Sequence, residues 1–138
     1  MRYYLDTNIL VFILTKKKDD ISSNITEILT DYANVLYTSS VAVKELVLLY
    51  RIGKLEKLRY ISEQDMLNEL KDFGIETIFF NEHHFAKYTQ LDIIERHRDM
   101  NDHAIIAQAI SDKISLISSD TAFKHYTTQG LNLVFNRR

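Results

Sequence analysis

Short apolar runs alternate along this chain with longer segments in which apolar residues recur at helical spacing. The short runs are rich in aromatic and β-branched residues, as is typical of buried strands. They predict five strands, at residues 2–5, 35–37, 75–80, 115–118 and 131–135.

The segments between these strands predict helices, and their ends carry recognisable boundary residues. Ser62 starts one helix and Gly74 follows it, whereas Asn101 or Asp102 starts the most strongly patterned helix. The predicted helices lie at residues 9–14, 25–32, 41–52, 63–72, 82–90, 101 or 102 to 110, and 121–126.

Alternating strands and helices predict an α/β fold, with three layers in which helices cover both faces of a central, mainly parallel sheet. Helical patterning is dense between residues 41 and 72, so we also expect a helical arm in this part of the chain. The chain has 138 residues, no proline, three glycines, no repeat and no linker-like segment. We therefore expect one domain over residues 1–138.

The composition fits a folded protein from a reducing compartment. A hydrophobic fraction of 46% is enough for a core, and the absence of cysteine excludes disulfides and thiolate metal sites. The apolar run at residues 9–14 is too short for a secretory or membrane-spanning segment, and acidic Asp6 precedes it in place of a basic region. We expect a cytoplasmic protein.

The net charge of −2 and isoelectric point of about 6.2 weaken any interpretation based on tight, nonspecific binding of phosphates. An acidic centre with a basic rim would also be nearly neutral, which is compatible with a nuclease. Most basic residues are interpreted as solvated faces. The candidate rim residues are Lys16, Lys17, Lys18, Arg51, Lys54, Lys57, Arg59, Arg96, Arg98, Arg137 and Arg138.

Four acidic residues stand where predicted strands end or predicted helices begin. Asp6 follows the first strand, Asp120 follows the fourth, Asp102 opens a helix, and Glu45 lies early in the helix after the second strand. Because the carboxyl ends of parallel strands meet at one edge of a sheet, these acids are expected to converge. Converging carboxylates repel one another unless a cation lies between them, and Mg²⁺ and Mn²⁺ prefer oxygen ligands. The pattern predicts a divalent-metal site and phosphate chemistry.

Each acid alone also has a plainer interpretation. Asp102 and Asp120 stand where helix caps are common, and Glu45 fits an exposed helix residue. Asp6 is the hardest to explain in this way, because a charge that ends an apolar strand is costly if it is buried without a partner. The hypothesis of a metal site therefore depends on the set of four.

Neighbouring polar residues are candidates to orient these acids or a water on the metal. Asp99 is a further acid, expected either to join the metal site or to form a salt bridge with Arg96 or Arg98. His97 and His103 are interpreted as structural or orienting groups, since the sequence places no third ligand for a zinc site. The orienting candidates are Thr7, Asn8, Ser40 and Ser119.

The remaining histidines are predicted at the surface or on helix faces, and three tyrosines are candidates for unspecific base stacking. The residues concerned are His83, His84 and His125, and Tyr50, Tyr60 and Tyr126. No glycine-rich phosphate loop, GxSxG motif or HExxH motif is present in the sequence.

Four blocks contain the acids in order along nearly the whole chain. They are LDTNIL at residues 5–10, SSVAVKEL at 39–46, HRDMNDHAIIAQA at 97–109 and LISSD at 116–120, with a GKL triplet at 53–55. Together they resemble the PIN domain family, and within it a bacterial branch with an HxDxxD block that includes VapC-type toxins. That branch has Asp-Pro-Phe-Asp where this chain has DMND at 99–102, so the acids persist but the proline and aromatic residue are absent.

The resemblance implies a PIN-like fold in which Asp6, Glu45, Asp102 and Asp120 hold Mg²⁺ or Mn²⁺. It also implies an endoribonuclease that cleaves RNA, the toxin of a type II toxin–antitoxin pair, a homodimer, and a small antitoxin that occupies the active groove. The alternatives are a non-catalytic binding module, a DNA nuclease and a phosphatase. The LDTN block resembles haloacid-dehalogenase-like phosphatases, although Asn8 stands where those enzymes require a second aspartate.

Overall fold

A computed structural model describes residues 1–55 and 62–137 of the chain. The strands in that part are β1 (Arg2–Leu5), β2 (Val35–Ser39), β3 (Ile75–Ile78), β4 (Ser115–Ser118) and β5 (Leu133–Phe135). They form a single sheet in the order β3-β2-β1-β4-β5, and every neighbouring pair is parallel. The predicted parallel α/β sheet is confirmed.

Helices connect these strands as the alternating pattern predicts. A 3-10 segment (Thr121–Gln129) stands where a short α-helix is predicted, and it ends at Gly130, whose φ of +103° is a conformation that residues with side chains rarely adopt. Among the described residues, no helix has the length and apolar character to cross a membrane. The α-helices are α1 (Thr7–Leu14), α2 (Ser23–Thr30), α3 (Ser40–Arg51), α4 (Glu63–Asp72), α5 (Glu82–Gln90) and α6 (Met100–Asp112).

The structure corrects the predicted start of α6. The helix begins at Met100, because the Asp99 carboxylate accepts hydrogen bonds from the backbone N–H groups of Asn101 and Asp102 at 3.0 and 3.1 Å. Asp99 is therefore the cap, whereas the sequence pattern predicts Asn101 or Asp102 in that role. Asp102 lies in the first turn of the helix.

Two further boundaries shift for local reasons. α1 begins at Thr7, two residues before its predicted start, since Asp6 caps the helix by accepting the Thr7 N–H. β3 ends at Ile78, two residues early, since the N–H of Phe80 donates to the Ser40 hydroxyl.

Right-handed crossovers place the helices in two layers. The connections from β1 to β3 progress in one direction along the sheet, so α1 to α4 lie on one face, and the return to β4 places α5 and α6 on the other. The predicted α/β/α arrangement is confirmed. Leu46, Met66 and Leu70 of α3 and α4 belong to the main core. The expected helical arm is therefore wrong for the described part of residues 41–72.

The sheet order determines where a ligand site forms. β1 is central, and the chain leaves it toward β2 but returns to its other side at β4. Such a reversal opens a crevice at the carboxyl ends of the strands. Asp6 directly follows β1, and Asp120 follows β4 by two residues, with Leu5 opposite Ile117 in the register. The two acids therefore lie at the same edge.

Candidate metal centre

The four predicted metal ligands line one cavity at the carboxyl edge of the sheet, with a volume of about 360 Å³. Asp6 comes from the end of β1, Glu45 from α3, Asp102 from α6 and Asp120 from the turn after β4. The described residues that line the cavity include no lysine or arginine. Its walls also contain Asp99, Thr7 and Asn8.

Asp6 is buried, with 4% of its surface exposed, and it is held by neutral donors. Oδ1 accepts from the backbone N–H of Thr7 at 2.8 Å, and Oδ2 accepts from the Ser118 hydroxyl at 2.6 Å and the Asn8 amide at 3.3 Å. Among the described residues, no lysine or arginine forms a salt bridge with it. Burial raises the pKa of Asp6 to about 7, and the charge of Asp102 adds to the rise.

Burial is also the largest cause of a raised pKa at two other acids. Glu45 accepts from the Thr7 hydroxyl at 3.1 Å, and burial raises its pKa despite that hydrogen bond. Burial raises the pKa of Asp102 to about 7, with further contributions from Asp99, Asp120 and Glu45. Carboxylates that raise one another's pKa are close enough to repel, and a bound cation would relieve that repulsion.

His97 connects Asp102 to the interior. Its Nε2 lies 2.9 Å from Asp102 Oδ2, and its Nδ1 lies 3.0 Å from the hydroxyl of Tyr126. The ring of His103 packs edge-on against it, with 4.9 Å between centroids. Burial lowers the pKa of His103, and its Nε2 has no hydrogen-bond partner among the described residues. His97 therefore orients an acid, while His103 supports the His97 ring.

Asp120 and Asp99 both cap a helical segment and line the cavity. Asp120 Oδ1 accepts from the N–H of Ala122 at 2.9 Å, and Asp99 caps α6. The salt bridge considered between Asp99 and Arg96 or Arg98 is not found among the described residues. An ionised carboxylate has about four lone-pair sites. Capping therefore leaves both residues able to accept further ligands.

Ser118 contacts two of the predicted metal ligands, although the sequence pattern does not single it out. Its hydroxyl donates to Asp6 and accepts from the backbone N–H of Asp120 at 3.1 Å, so one side chain links two acids. Ser119, the candidate in the sequence, contributes its backbone N–H, which donates to Asn8 Oδ1 at 3.3 Å. The signal that the sequence offers for Ser118 is its position as the last residue of a predicted strand, two residues before Asp120.

The structure places several other candidates away from the cavity. Ser40 accepts from the N–H of Phe80 at 3.0 Å and lines a separate groove beside β3. Tyr126 is fully buried, so base stacking by its ring is wrong. His84, predicted at the surface or on a helix face, is fully buried because α5 packs along α6, and its Nε2 lies 2.9 Å from Asp112.

The basic residues mostly form solvated faces, as predicted. Lys44 donates to Asn101 Oδ1 at 3.1 Å, and its charge lowers the pKa of Glu45 against the larger effect of burial. Arg51 pairs with Glu63 at 2.6 Å on the surface. The candidates Lys57, Arg59, Tyr60 and Arg138 lie outside the described residues.

The donor set fits a hard divalent cation, because it consists of carboxylate oxygens with hydroxyl and amide groups around them. Within residues 1–55 and 62–137, no three His, Asp or Glu side chains are close enough together to form a complete metal site. Mg²⁺ keeps several waters and binds directly through one or two carboxylates. The spacing of these acids therefore suits an ion that retains part of its hydration.

The PIN domain family model matches residues 3–128 of the chain. The chain belongs to the PIN domain family. No curated protein sequence gives a significant match.

Several solved structures share this PIN fold over 98% or more of their chains. VapBC2 from Rickettsia felis, bound to a DNA fragment from its promoter, has a TM-score of 0.68 at 24% identity, covering 99% of this chain and 100% of that one. VapBC-1 from nontypeable Haemophilus influenzae has a TM-score of 0.65 at 20% identity, with 98% of both chains covered. VapBC-5 from Mycobacterium tuberculosis has a TM-score of 0.62 at 19% identity, covering 99% and 98%.

Proposed function

We propose that this PIN domain protein is a Mg²⁺- or Mn²⁺-dependent endoribonuclease that hydrolyses RNA phosphodiester bonds. The observation that carries the proposal is the cavity shared by Asp6, Glu45, Asp102 and Asp120, whose described lining contains no basic side chain. Membership of the PIN domain family supports a nuclease that uses divalent metal ions. RNA as the substrate and the identity of the ion are the finer parts of the proposal.

In this proposal the four acids hold the cation directly or through water. A divalent cation held by these acids would supply the Lewis acidity that phosphodiester hydrolysis requires. Because burial raises the pKa of Asp6 and Asp102 to about 7, both hold protons in the metal-free protein at acidic pH. Cation binding near neutral pH is therefore expected to release protons.

The surrounding polar groups would keep the acids oriented for this task. Ser118 donates to Asp6, and Thr7 donates to Glu45. His97 lies within hydrogen-bonding distance of Asp102. These partners are neutral hydroxyl groups and one imidazole, so they orient carboxylates without supplying a fixed positive charge.

We further propose that the protein is the toxin of a type II toxin–antitoxin pair. The similarity to VapBC proteins from three bacteria, over 98% or more of this chain in each case, supports that setting. A small antitoxin protein would occupy the acidic cavity and keep the enzyme silent. The proposal includes a homodimer that acts in the cytoplasm.

The nuclease proposal is tested by metal-dependent cleavage with two matched variants. Asp6→Asn removes a buried carboxylate from the cavity, whereas Asp19→Asn removes an exposed carboxylate that does not line it. The wild type and Asp19→Asn are expected to cleave RNA with Mg²⁺ or Mn²⁺ but not with excess EDTA. Asp6→Asn is expected to cleave RNA about 100-fold more slowly, or slower still. Cleavage that persists in Asp6→Asn, or in EDTA, contradicts the mechanism.

Substrate panels and calorimetry separate the alternatives. A DNA nuclease would cleave single- or double-stranded DNA in preference to RNA, and a phosphatase would turn over small phosphate monoesters. A non-catalytic binding module would show no stoichiometric Mn²⁺ binding at the cavity. Each of these results would replace the endoribonuclease proposal.

The toxin proposal is tested in growing cells. Expression of the wild type is expected to arrest growth, whereas Asp6→Asn is not. Co-expression of a short, charged protein encoded just upstream is expected to restore growth. If purified protein cleaves RNA but its expression leaves growth unchanged, the enzyme is a nuclease with a different role.

A further inference from the structure

Asn136 lies at the end of β5, and it is fully buried. Its Nδ2 donates to Ser119 Oγ and to the carbonyl oxygen of Asp20, both at 2.7 Å. Its Oδ1 accepts from the backbone N–H of Ser22 at 2.8 Å. Because the Asp20 carbonyl can only accept and the Ser22 N–H can only donate, this network determines which way the amide points. The backbone N–H of Asn136 also donates to the carbonyl oxygen of Ser118 at 2.8 Å.

The turn that this asparagine holds organises the metal cavity. Ser118 donates to Asp6 Oδ2 and accepts from the N–H of Asp120. The N–H of Ser119 donates to Asn8, which in turn donates to Asp6. A shift of this turn would therefore move Asp120, disrupt the hydrogen bond from Ser118 to Asp6, and remove the Ser119 contact that holds Asn8 beside Asp6.

We propose that Asn136 is a positioning residue of the metal site, which fixes the turn at residues 118–119 against residues 20–22 and so sets the affinity for a divalent cation. The inference rests on the proposed function, since it requires the cavity to bind such a cation. Residue 136 lies beyond residues 3–128, the part that the PIN domain family model matches. The assignment therefore comes from the contacts of this chain alone.

A purely structural role for Asn136 would give a different result. An asparagine that only anchors the end of the chain would lower the free energy of unfolding when replaced, and the folded molecules would bind the cation normally. A positioning residue instead lowers cation affinity in molecules that remain folded. Replacing groups that orient metal ligands typically weakens affinity or activity about 10- to 100-fold.

The experiment is calorimetric titration of the full chain with Mn²⁺, with folding checked by circular dichroism. Asn132→Ala is the matched control, because Asn132 Nδ2 donates to Ser115 Oγ at 2.7 Å, at the opposite end of β4. Asn136→Ala is expected to weaken Mn²⁺ binding about 10-fold. Asn132→Ala is expected to keep the affinity within about twofold of the wild type. A folded Asn136→Ala protein with wild-type affinity overturns the inference.

Ser119→Ala provides a second route to the same contact, since it removes only the acceptor of the Asn136 amide at the turn. It is expected to weaken Mn²⁺ binding severalfold, and the double variant is expected to be no weaker than Asn136→Ala. If Asn136→Ala does not fold, Ser119→Ala decides, and an unchanged affinity there overturns the inference. A wild-type protein that binds no Mn²⁺ contradicts the proposed function itself, so the two failures are distinguishable.

Discussion

Replacing Asp6 with asparagine is expected to stabilise the metal-free protein even though it removes the central metal ligand. Asp6 is buried and has no salt bridge to a lysine or arginine among the described residues. Burial, with repulsion from Asp102, raises its pKa from the ordinary 3.8 to about 7. Because one pKa unit corresponds to about 1.4 kcal/mol, ionising Asp6 costs roughly 4 kcal/mol more in the folded protein than in the unfolded chain.

The raised pKa determines the sign of the pH dependence. Below about pH 4, Asp6 is protonated in both states, and its contribution to stability is fully present. As the pH rises from about 4 to 7, the unfolded chain releases this proton while the folded protein retains it, so the free energy of unfolding falls. The asparagine side chain of the Asp6→Asn variant does not titrate, so the free energy of unfolding of this variant does not fall for this reason. Its advantage is therefore expected to be largest at pH 8.

Part of this gain in stability is lost because asparagine matches the hydrogen-bonding groups around residue 6 less well than aspartate does. The amide of Asp6→Asn can keep an acceptor for the Thr7 N–H, but its NH₂ group faces the Ser118 hydroxyl and the Asn8 amide. An imperfectly matched hydrogen bond costs about 1–2 kcal/mol. We therefore expect a net gain of about 2–3 kcal/mol at pH 8 and almost none at pH 5.

The assay is urea denaturation in EDTA at pH 5 and pH 8, with the exposed Asp19→Asn as control. The control is expected to stay within about 0.5 kcal/mol of the wild type at both pH values. At pH 8, Mn²⁺ at 100 times its Kd should stabilise only proteins that bind it, by about 2.7 kcal/mol. An Asp6→Asn protein less stable than the wild type at pH 8 in EDTA would refute the reasoning. An equal advantage at both pH values would do so as well.

Three other substitutions test separate parts of the structure. His97→Ala loses the contact with Asp102 and is expected to weaken Mn²⁺ binding about 10-fold, and an unchanged affinity in calorimetry would contradict this role. Leu46→Ala leaves a cavity in the core, and urea denaturation should show a loss of about 2–5 kcal/mol. Gly130→Ala forces a side chain into a φ of +103°, and thermal unfolding should show a loss of about 1–2 kcal/mol. A loss well below about 2 kcal/mol for Leu46→Ala would contradict the expected cost of a core cavity. A loss well below about 1 kcal/mol for Gly130→Ala would contradict the expected backbone strain.

The features that the sequence predicts correctly are those set by neighbouring residues. The runs at residues 2–5 and 115–118 match β1 and β4 in full, because strands in the middle of a parallel sheet are covered on both faces and therefore have consecutive apolar residues, here Tyr3-Tyr4-Leu5 and Leu116-Ile117. Asp6 stands out because it ends such a strand. The edge on which the acids meet also follows from the alternation of strands and helices, since that alternation requires a parallel sheet.

The features that escape prediction depend on which distant segments become neighbours. Ser118 lies 112 residues from Asp6, and nothing in the sequence shows that β4 pairs directly with β1. Asn136 likewise acquires its partners only when β5 lies beside β4 and the segment at residues 20–22. His84 is polar but buried because α5 packs against α6. The residues next to His84 in the sequence do not predict that packing.

Among the described residues, no lysine or arginine donates a hydrogen bond to Asp6 or Glu45. Asp6 receives hydrogen bonds from a serine, an asparagine and a backbone N–H, and Glu45 receives one from Thr7. Neutral donors fix the direction of a carboxylate, whereas a lysine or arginine would also cancel its charge and compete with a cation. The chain does use such a pair at the surface, where Arg51 and Glu63 lie 2.6 Å apart. Buried acids without a basic partner lower the free energy of unfolding of the metal-free protein near neutral pH. This loss is the expected consequence of a site whose carboxylates remain available to bind a cation.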